Sequence, residues 1–487
     1  MSSIKKNYLY SVLYQILSII VPLITTPYLA RVLGTEKSGI YSYTSANVQY
    51  FILISMLGIL DYGNRTIATL HSKEDRGRVF KEIYTIQFTT SVIALFIYAF
   101  YLLLGISSYW GIAAMQGIAI LASLFDISWF FFGVEKFGVT VTRNIIIRIA
   151  SLFLIFIFVR DSDDLWKYVL ISAGSILVSN IILWFFLKRE VVLSKIDINQ
   201  VLIHLKPCLI LMLPLISRSV FVYLDKTMLG LLSGMDETGY YEYSERVILA
   251  ATSVITPLGT VMLPRISSLL SQGEERIAQR YTALSMDFVV GIGMALTMGS
   301  IAVADTLVSV FLGDEYVSCG SIVKMMSITI ILVGWTNVIR TQYILPYKKD
   351  KVYMLAVFAG AVIDFMFNCL LIPKLGALGA AIGWVAAEIA ITLSQTIYAS
   401  RKLPILDYIR KEAGFVVVSI IMYIIVSMLS NSIERSLLSL VACVLVGAFI
   451  YLGLSTVYIF VFRKDLWIMF VEYIQGKNNR LRNLSNK

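Results

Sequence analysis

Charge is scarce in this chain. Only 15% of its 487 residues are Asp, Glu, Lys or Arg, where soluble domains carry roughly 25%. With 58% hydrophobic residues, a single water-soluble core is excluded. Cysteine is scarcer still. Cys208, Cys319, Cys369 and Cys443 stand far apart, most of them in apolar runs, and form no disulfide or metal-ligand spacing. The two histidines, His71 and His204, fall in segments that read as solvated loops rather than as catalytic positions. No glycine-rich phosphate loop, metal-ligand cluster or nucleophile motif occurs. The alternating strands of about 10 residues that build membrane barrels are missing too. No connection between apolar runs is long enough to fold as a soluble domain. The first apolar run, from Tyr8 to Ala30, is too long for a signal-peptide core and lacks a small-residue cleavage site. It reads as a membrane span.

What the sequence does have is a succession of such runs, each long enough to cross roughly 30 Å of hydrocarbon as a helix. They lie at about 8–30, 40–60, 80–104, 108–132, 141–160, 165–187, 206–232, 240–263, 281–303, 321–345, 352–372, 376–399, 411–430 and 437–462. The fold class expected is therefore an all-α polytopic membrane protein of about fourteen transmembrane helices. The net charge of +10 does not make it a nucleic-acid binder, because the basic residues sit in short loops between spans. With the N-terminus placed inside, the inside segments hold about 29 Lys and Arg and the outside connections about 6. Lys and Arg accumulate on the cytoplasmic side, so both termini are expected in the cytoplasm of a bacterial inner-membrane protein.

An internal repeat divides the chain. Gly34-Thr-Glu-Lys-Ser-Gly-Ile-Tyr-Ser-Tyr-Thr44 recurs 200 residues later as Gly234-Met-Asp-Glu-Thr-Gly-Tyr-Tyr-Glu-Tyr-Ser244. Each copy follows a proline-containing span (Pro22-Leu-Ile; Pro214-Leu-Ile). The expected organisation is a six-helix lobe over 1–200, a second over 201–405, and two extra helices with a basic tail over 406–487. Six is even, so the two copies enter the membrane the same way round, as in parallel-repeat transporters.

Ionisable residues inside spans are costly and mark functional sites. Arg218 lies near the middle of the seventh run and has no acid within a helical turn. Arg148 lies in the fifth, Arg246 in the eighth and Arg340 in the tenth, while Arg31 and Lys226 stand near run ends. Arginine stays charged and grips phosphate through a bidentate fork, so several arginines facing one cavity would form an anion site. Structural pairing is the competing reading, strongest for Arg246, which follows Glu242 by four residues. Among the buried acids, Asp225 beside Lys226 and Glu245 beside Arg246 read as structural partners. Asp364 and Glu388 are the freer candidates for coupling transport to H⁺ or Na⁺. Tyr41, Tyr43, Tyr241 and Tyr243 are candidates for stacking on sugar rings. No cofactor is expected.

Pro27-Tyr-Leu-Ala-Arg-Val-Leu-Gly34, Ser38-Gly-Ile-Tyr-Ser-Tyr43 and Leu57-Gly-Ile-Leu-Asp-Tyr-Gly63 resemble the opening of Wzx-type polysaccharide repeat-unit flippases. Tyr223-Leu-Asp-Lys-Thr-Met-Leu-Gly230, Val261-Met-Leu-Pro-Arg-Ile266 and Ile372-Pro-Lys-Leu-Gly-Ala-Leu-Gly-Ala-Ala381 resemble that family's later signatures. The family belongs to the multidrug/oligosaccharidyl-lipid/polysaccharide exporter superfamily. The resemblance implies two six-helix lobes around a central cavity. It also implies a substrate, an oligosaccharide on undecaprenyl pyrophosphate, moved to the outer leaflet for capsule, O-antigen or exopolysaccharide assembly. Membrane lipids would surround the protein, and a polysaccharide polymerase and assembly proteins are candidate partners. Basic cavity residues of the family would hold the pyrophosphate, and Arg31, Arg218, Arg246 and Arg148 are carried over to that role, with Tyr41 and Tyr241 against the sugars. No bond is broken, so the reading is a transporter and not an enzyme.

Three rivals remain. A lipid II flippase shares the substrate chemistry, and rescue of a strain lacking its peptidoglycan flippase would separate the two. A multidrug and toxic compound extrusion antiporter shares the architecture but needs an acidic cavity for organic cations. A membrane polysaccharide polymerase is an enzyme that carries a long outer catalytic loop, which this sequence lacks.

Overall fold

The computed structural model describes the backbone of residues 2–105, 108–192, 198–464 and 466–467. Within these, side chains are described from residue 20 onward, apart from 137, 198–199, 213–214, 217–218 and 220–221. Among the described residues every regular element is a helix. In chain order these are α1 (Ser2–Met56), α2 (Ile59–Ala68), α3 (Lys73–Leu103), α4 (Trp110–Leu124), α5 (Ser128–Gly133), α6 (Phe137–Phe158), α7 (Leu165–Leu187), α8 (Ile198–Leu232), α9 (Met235–Thr252), α10 (Pro257–Ser271), α11 (Glu275–Phe311), α12 (Cys319–Ile339), α13 (Asp350–Leu375), α14 (Ala377–Ala399), α15 (Ile405–Ser432) and α16 (Leu437–Phe462).

Among the described residues, eleven helical stretches are long and apolar enough to cross a membrane. The broken pair α9–α10, counted as one span, makes a twelfth. The remaining two of the fourteen expected spans lie in α1 and α8. The stretch Ile20–Ala68 is 49 residues long, which at 1.5 Å per residue is more than twice the hydrocarbon thickness, so it holds two spans. They meet at Gly34, whose φ of 72° and ψ of −179° break the helix in a conformation that glycine adopts without steric cost. α8 runs for 35 residues, also long enough to span. The segment 301–320, between the ninth and tenth expected runs, comprises the end of α11, a 3₁₀ turn at Asp314–Tyr316 and the start of α12. Phe96, Leu103, Phe153, Phe185, Leu438 and Phe449 are each more than 60% exposed. Side chains of this kind in such numbers suit contact with lipid rather than water.

The chain forms two compact units. The first comprises Met1–Ala250, Phe311–Ile322 and Lys351–Ile391. One of its apolar cores joins α2, α3, α5, α7 and α8 through Ile59, Ile67, Phe80, Ile83, Trp129, Phe130, Phe131, Leu183 and Cys208. Polar groups inside it are satisfied in a chain. Trp129 Nε1 donates to Gln87 Oε1 (2.9 Å), and Gln87 Nε2 donates to the carbonyls of Ser123 (2.8 Å) and Asp126 (2.9 Å). The Asp126 carboxylate accepts from the Ser128 amide (2.9 Å), an Asx turn that leads into α5.

The second unit comprises Ala251–Val310, Val323–Asp350 and Thr392–Lys487. Here α11, α15 and α16 pack through Val290, Met294, Phe415, Met422, Val426, Cys443 and Tyr451. Arg463 ties these helices together, with a two-pronged bond to Asp287 (2.8 and 2.9 Å) and a longer contact to Glu412 (3.5 Å). Asp305 pairs with Lys324 (2.6 Å). Arg340 opens a π turn and donates to Asn337 Oδ1 (2.8 Å).

Within the first unit the two copies of the repeated motif lie against each other. A Cβ on Gly39 would fall on the Met235 carbonyl oxygen, and one on Gly239 would fall on the Thr35 carbonyl oxygen. The contact is reciprocal at the 200-residue spacing, backbone against backbone, and only glycine permits it. Gly39→Val is therefore expected to push α1 and α9 apart. Overpacking of this kind costs roughly 1–3 kcal/mol, so a melting temperature several degrees lower should be seen in detergent, and Gly239→Val should do the same. An unchanged melting temperature for both would mean that the helices do not touch there.

Candidate functional site

The glycine contact brings the faces beyond it into register. Ser42 Oγ donates to Glu242 Oε2 (2.7 Å), and Ser38 Oγ lies 2.9 Å from Tyr243 Oη. Thr35 N donates to Glu315 Oε1 (3.2 Å), Thr35 Oγ1 bonds Asp236, and Tyr316 Oη donates to the Ala30 carbonyl (3.0 Å). Burial pushes the Tyr316 phenol upward, so it remains a donor at any working pH.

Behind this contact lies a compact charge cluster. Glu242, Glu245 and Arg246 stand at helical spacing on one face of α9. Lys226 Nζ, from α8, bonds Glu242 Oε2 (2.6 Å) and Glu245 Oε2 (2.7 Å), with all three side chains at most 12% exposed. Arg246 Nε donates to Glu242 Oε1 (2.7 Å), and its guanidinium lies over the Tyr243 ring at 5.4 Å. Two cations thus face two carboxylates where neither sign would be stable alone. Arg246 lines a cavity with Leu29, Leu33, Ser38, Tyr41, Tyr168, Glu242 and Tyr243. The cavity measures only 10 Å³, about room for one water.

A second group adjoins the first through Asp225. That carboxylate accepts from Asn368 Nδ2 (2.6 Å) and from the Tyr241 hydroxyl. Asp364, fully buried in α13, lies beside Asp225 and Asn368, and its two oxygens accept no hydrogen bond from the described residues. Two buried carboxyls side by side are tolerated only if a proton or a cation sits with them. Glu388 of α14 is 8% exposed and near enough to act on Asp364.

The structure therefore brings together Tyr41 and Arg246 at one cavity, and Tyr241 and Asp364 around Asp225, with Glu388 acting on Asp364. Tyr41 packs on Tyr168 (4.6 Å between ring centres), and Tyr241 is buried with its hydroxyl on Asp225, so neither presents an open ring face in this conformation. Arg31 is exposed on the rim of a wider pocket of 410 Å³ with Glu36, Lys37, Asp236 and Glu315. Arg148 lies midway along α6, half-buried. Arg218 belongs to α8 but lies outside the described side chains.

Two features escaped sequence reasoning. Arg143, not Arg148, is the deeply buried arginine of α6, with bonds to the Ser179 carbonyl (2.9 Å) and Asn144 Oδ1 (2.8 Å). His204 is not in a loop. It lies in α8 with Nδ1 2.6 Å from Tyr62 Oη and Nε2 3.0 Å from Glu82 Oε2, lining a pocket with Arg78 and Gln200. Its spacing from the Pro214 run would have indicated a longer helix; the single Lys206 and Pro207 masked it.

Lys226→Met should leave Glu242 and Glu245 buried without their shared partner. Breaking a buried pair this way costs about 3–5 kcal/mol, so the melting temperature should fall sharply and Glu245→Gln in the same chain should restore part of it. Additive losses in the double variant would mean that Lys226 and Glu245 do not interact.

A family model described as polysaccharide biosynthesis protein matches residues 4–270. A protein of Shigella dysenteriae described as an O-antigen transporter is 22% identical over 393 residues, covering 80% of this chain and 98% of the relative. A protein of Escherichia coli strain K12 with the same description is 25% identical over 399 residues, covering 80% and 95%. Among solved structures, the lipid II flippase MurJ in an inward closed conformation superposes with a TM-score of 0.73 at 15% identity, over 94% of this chain and 99% of that one. That is a likeness of fold.

Proposed function

The chain belongs to the polysaccharide biosynthesis protein family, and from that premise we propose that it is a flippase for oligosaccharide repeat units carried on undecaprenyl pyrophosphate. The observation that carries the reading is the placement of Lys226, 12% exposed, and the half-buried Arg246, both held by carboxylates between helices of a polytopic membrane protein. Buried charge is retained in membrane helices where it serves a substrate or ion path. The relatives described as O-antigen transporters favour a lipid-linked saccharide as the cargo. A sugar diphosphate cannot enter hydrocarbon unaided, because its charges and hydroxyls lose water without compensation. Fixed guanidinium and ammonium groups replace that water while the polyprenyl tail stays in lipid.

On this reading residues 1–200 and 201–405 are two lobes that rock about a central site, giving alternating access, and 406–487 are accessory. Both termini face the cytoplasm of a bacterial inner membrane, an orientation that the Lys and Arg distribution favours. Arg31, Arg148, Arg218 and Arg246 supply positive charge along the route. Tyr41 and Tyr241 offer rings to the sugars once their present partners separate. Asp364 and Glu388, with Asp225 beside them, exchange the H⁺ or Na⁺ that drives the cycle. No covalent bond is made or broken.

Deleting the gene should cause a lipid-linked oligosaccharide to build up in the inner leaflet, identified by extraction and mass spectrometry. In the deletion strain, Arg218→Ala should lower surface polysaccharide at unchanged protein level, and Arg218→Lys should restore it only partly, because an ammonium lacks the bidentate fork. Normal polymer output from Arg218→Ala would remove that residue from the route. Rescue of a strain without its peptidoglycan flippase, with no effect on surface polysaccharide, would reassign the substrate to lipid II.

A further inference from the structure

Glu242 is held in an unusual way for a structural partner. One carboxylate oxygen takes the Arg246 Nε–H (2.7 Å), and the other takes both Lys226 Nζ (2.6 Å) and Ser42 Oγ (2.7 Å). Two oxygens on one centre thus bridge a guanidinium, an ammonium and a hydroxyl, which is how a phosphate group would be held. The fork of Arg246 is only partly used, since the bond to Glu242 is made through Nε and its side chain lines the 10 Å³ cavity.

We propose that Glu242 stands in for the substrate's phosphate: in this arrangement its carboxylate occupies a grip made by Lys226, Arg246 and Ser42, and the pyrophosphate headgroup takes that grip by displacing it. Lys226 thereby becomes a substrate-binding residue, which its sequence position near a run end did not indicate. The inference rests on the flippase reading and adds an internal competitor to it.

Charge counting supports the exchange. Lys226 and Arg246 carry two positive charges, and Glu242 and Glu245 cancel them. A headgroup with two or more negative charges cannot join the cluster while both carboxylates stay ionised and in place, because like charges crowded in low dielectric repel strongly. The cavity beside Arg246 has no room for a phosphate either. Entry therefore requires the α9 face to withdraw Glu242, and departure of the headgroup lets the carboxylate return. A substrate-free protein then never leaves its two cations bare in the membrane, where an unpaired charge is most costly.

The test uses the full chain in lipid nanodiscs, with undecaprenyl pyrophosphate as probe and undecaprenol as the control for the tail. A grip occupied nine-tenths of the time by its own carboxylate loses about tenfold in apparent affinity. Glu242→Gln should bind undecaprenyl pyrophosphate about tenfold more tightly, with undecaprenol unchanged. Adding Lys226→Met to Glu242→Gln should cancel the gain. If the wild type prefers the pyrophosphate but Glu242→Gln binds it no better, or keeps its gain without Lys226, the displacement idea is wrong while the flippase reading stands. If neither the wild type nor any variant distinguishes the pyrophosphate from the alcohol, both fall. Should Glu242→Gln fail to run as a monodisperse folded species, Glu245→Gln carries the same comparison, with tighter binding expected and equal or weaker binding overturning the proposal.

Discussion

Everything at the charged site depends on how closely α1 and α9 approach. Gly39 rests on the Met235 carbonyl and Gly239 on the Thr35 carbonyl. With side chains at those positions the two helices would stand further apart. Ser42 would then not reach Glu242, nor Ser38 reach Tyr243. In lipid there is little hydrophobic gain from bringing helices together, so close backbone packing and interhelical hydrogen bonds do that work. The repeated motif supplies both, small residues for approach and hydroxyls for bonding, in each copy.

A second constraint follows from the medium. An ion in hydrocarbon needs a partner, and the chain answers this by clustering opposite charges rather than scattering them. Lys226 shared by Glu242 and Glu245, Arg463 held by Asp287 and Glu412, and Lys324 on Asp305 all obey it. Only the first of these groups combines a partly used guanidinium, a bordering cavity and a neighbouring carboxyl, Asp364, without hydrogen bonds among the described residues. The same physics that forces pairing thus separates ties that hold helices from a group able to exchange partners.

Much of the fold could be read from hydropathy, since a run of about 20 apolar residues has few alternatives in a membrane. The repeat was legible because Gly34, Gly39, Tyr41 and Tyr43 reappear at one fixed spacing. The site was legible only in part. The pairing of Arg246 with Glu242 follows from a four-residue spacing on one helix. By contrast, nothing local joins Lys226 to Glu245, or Asp225 to Asn368 143 residues away. Arg143 and Arg148 are equally plausible on a helix of known span but unknown rotation, and the structure buries the former. His204 looked solvated because a lysine and a proline interrupt its run, yet Tyr62 and Glu82 enclose it.

The sequence by itself determined that the chain is helical, that it crosses a membrane many times, and that one short motif recurs 200 residues on. Those properties depend on summed hydropathy and on short-range periodicity, which no distant contact can reverse. Tertiary structure alone decided which intramembrane charges face one another. Rotation of each helix about its axis is set by packing against neighbours far away in the chain, and a rotation of one residue, about 100°, moves a side chain from lipid to the charge cluster.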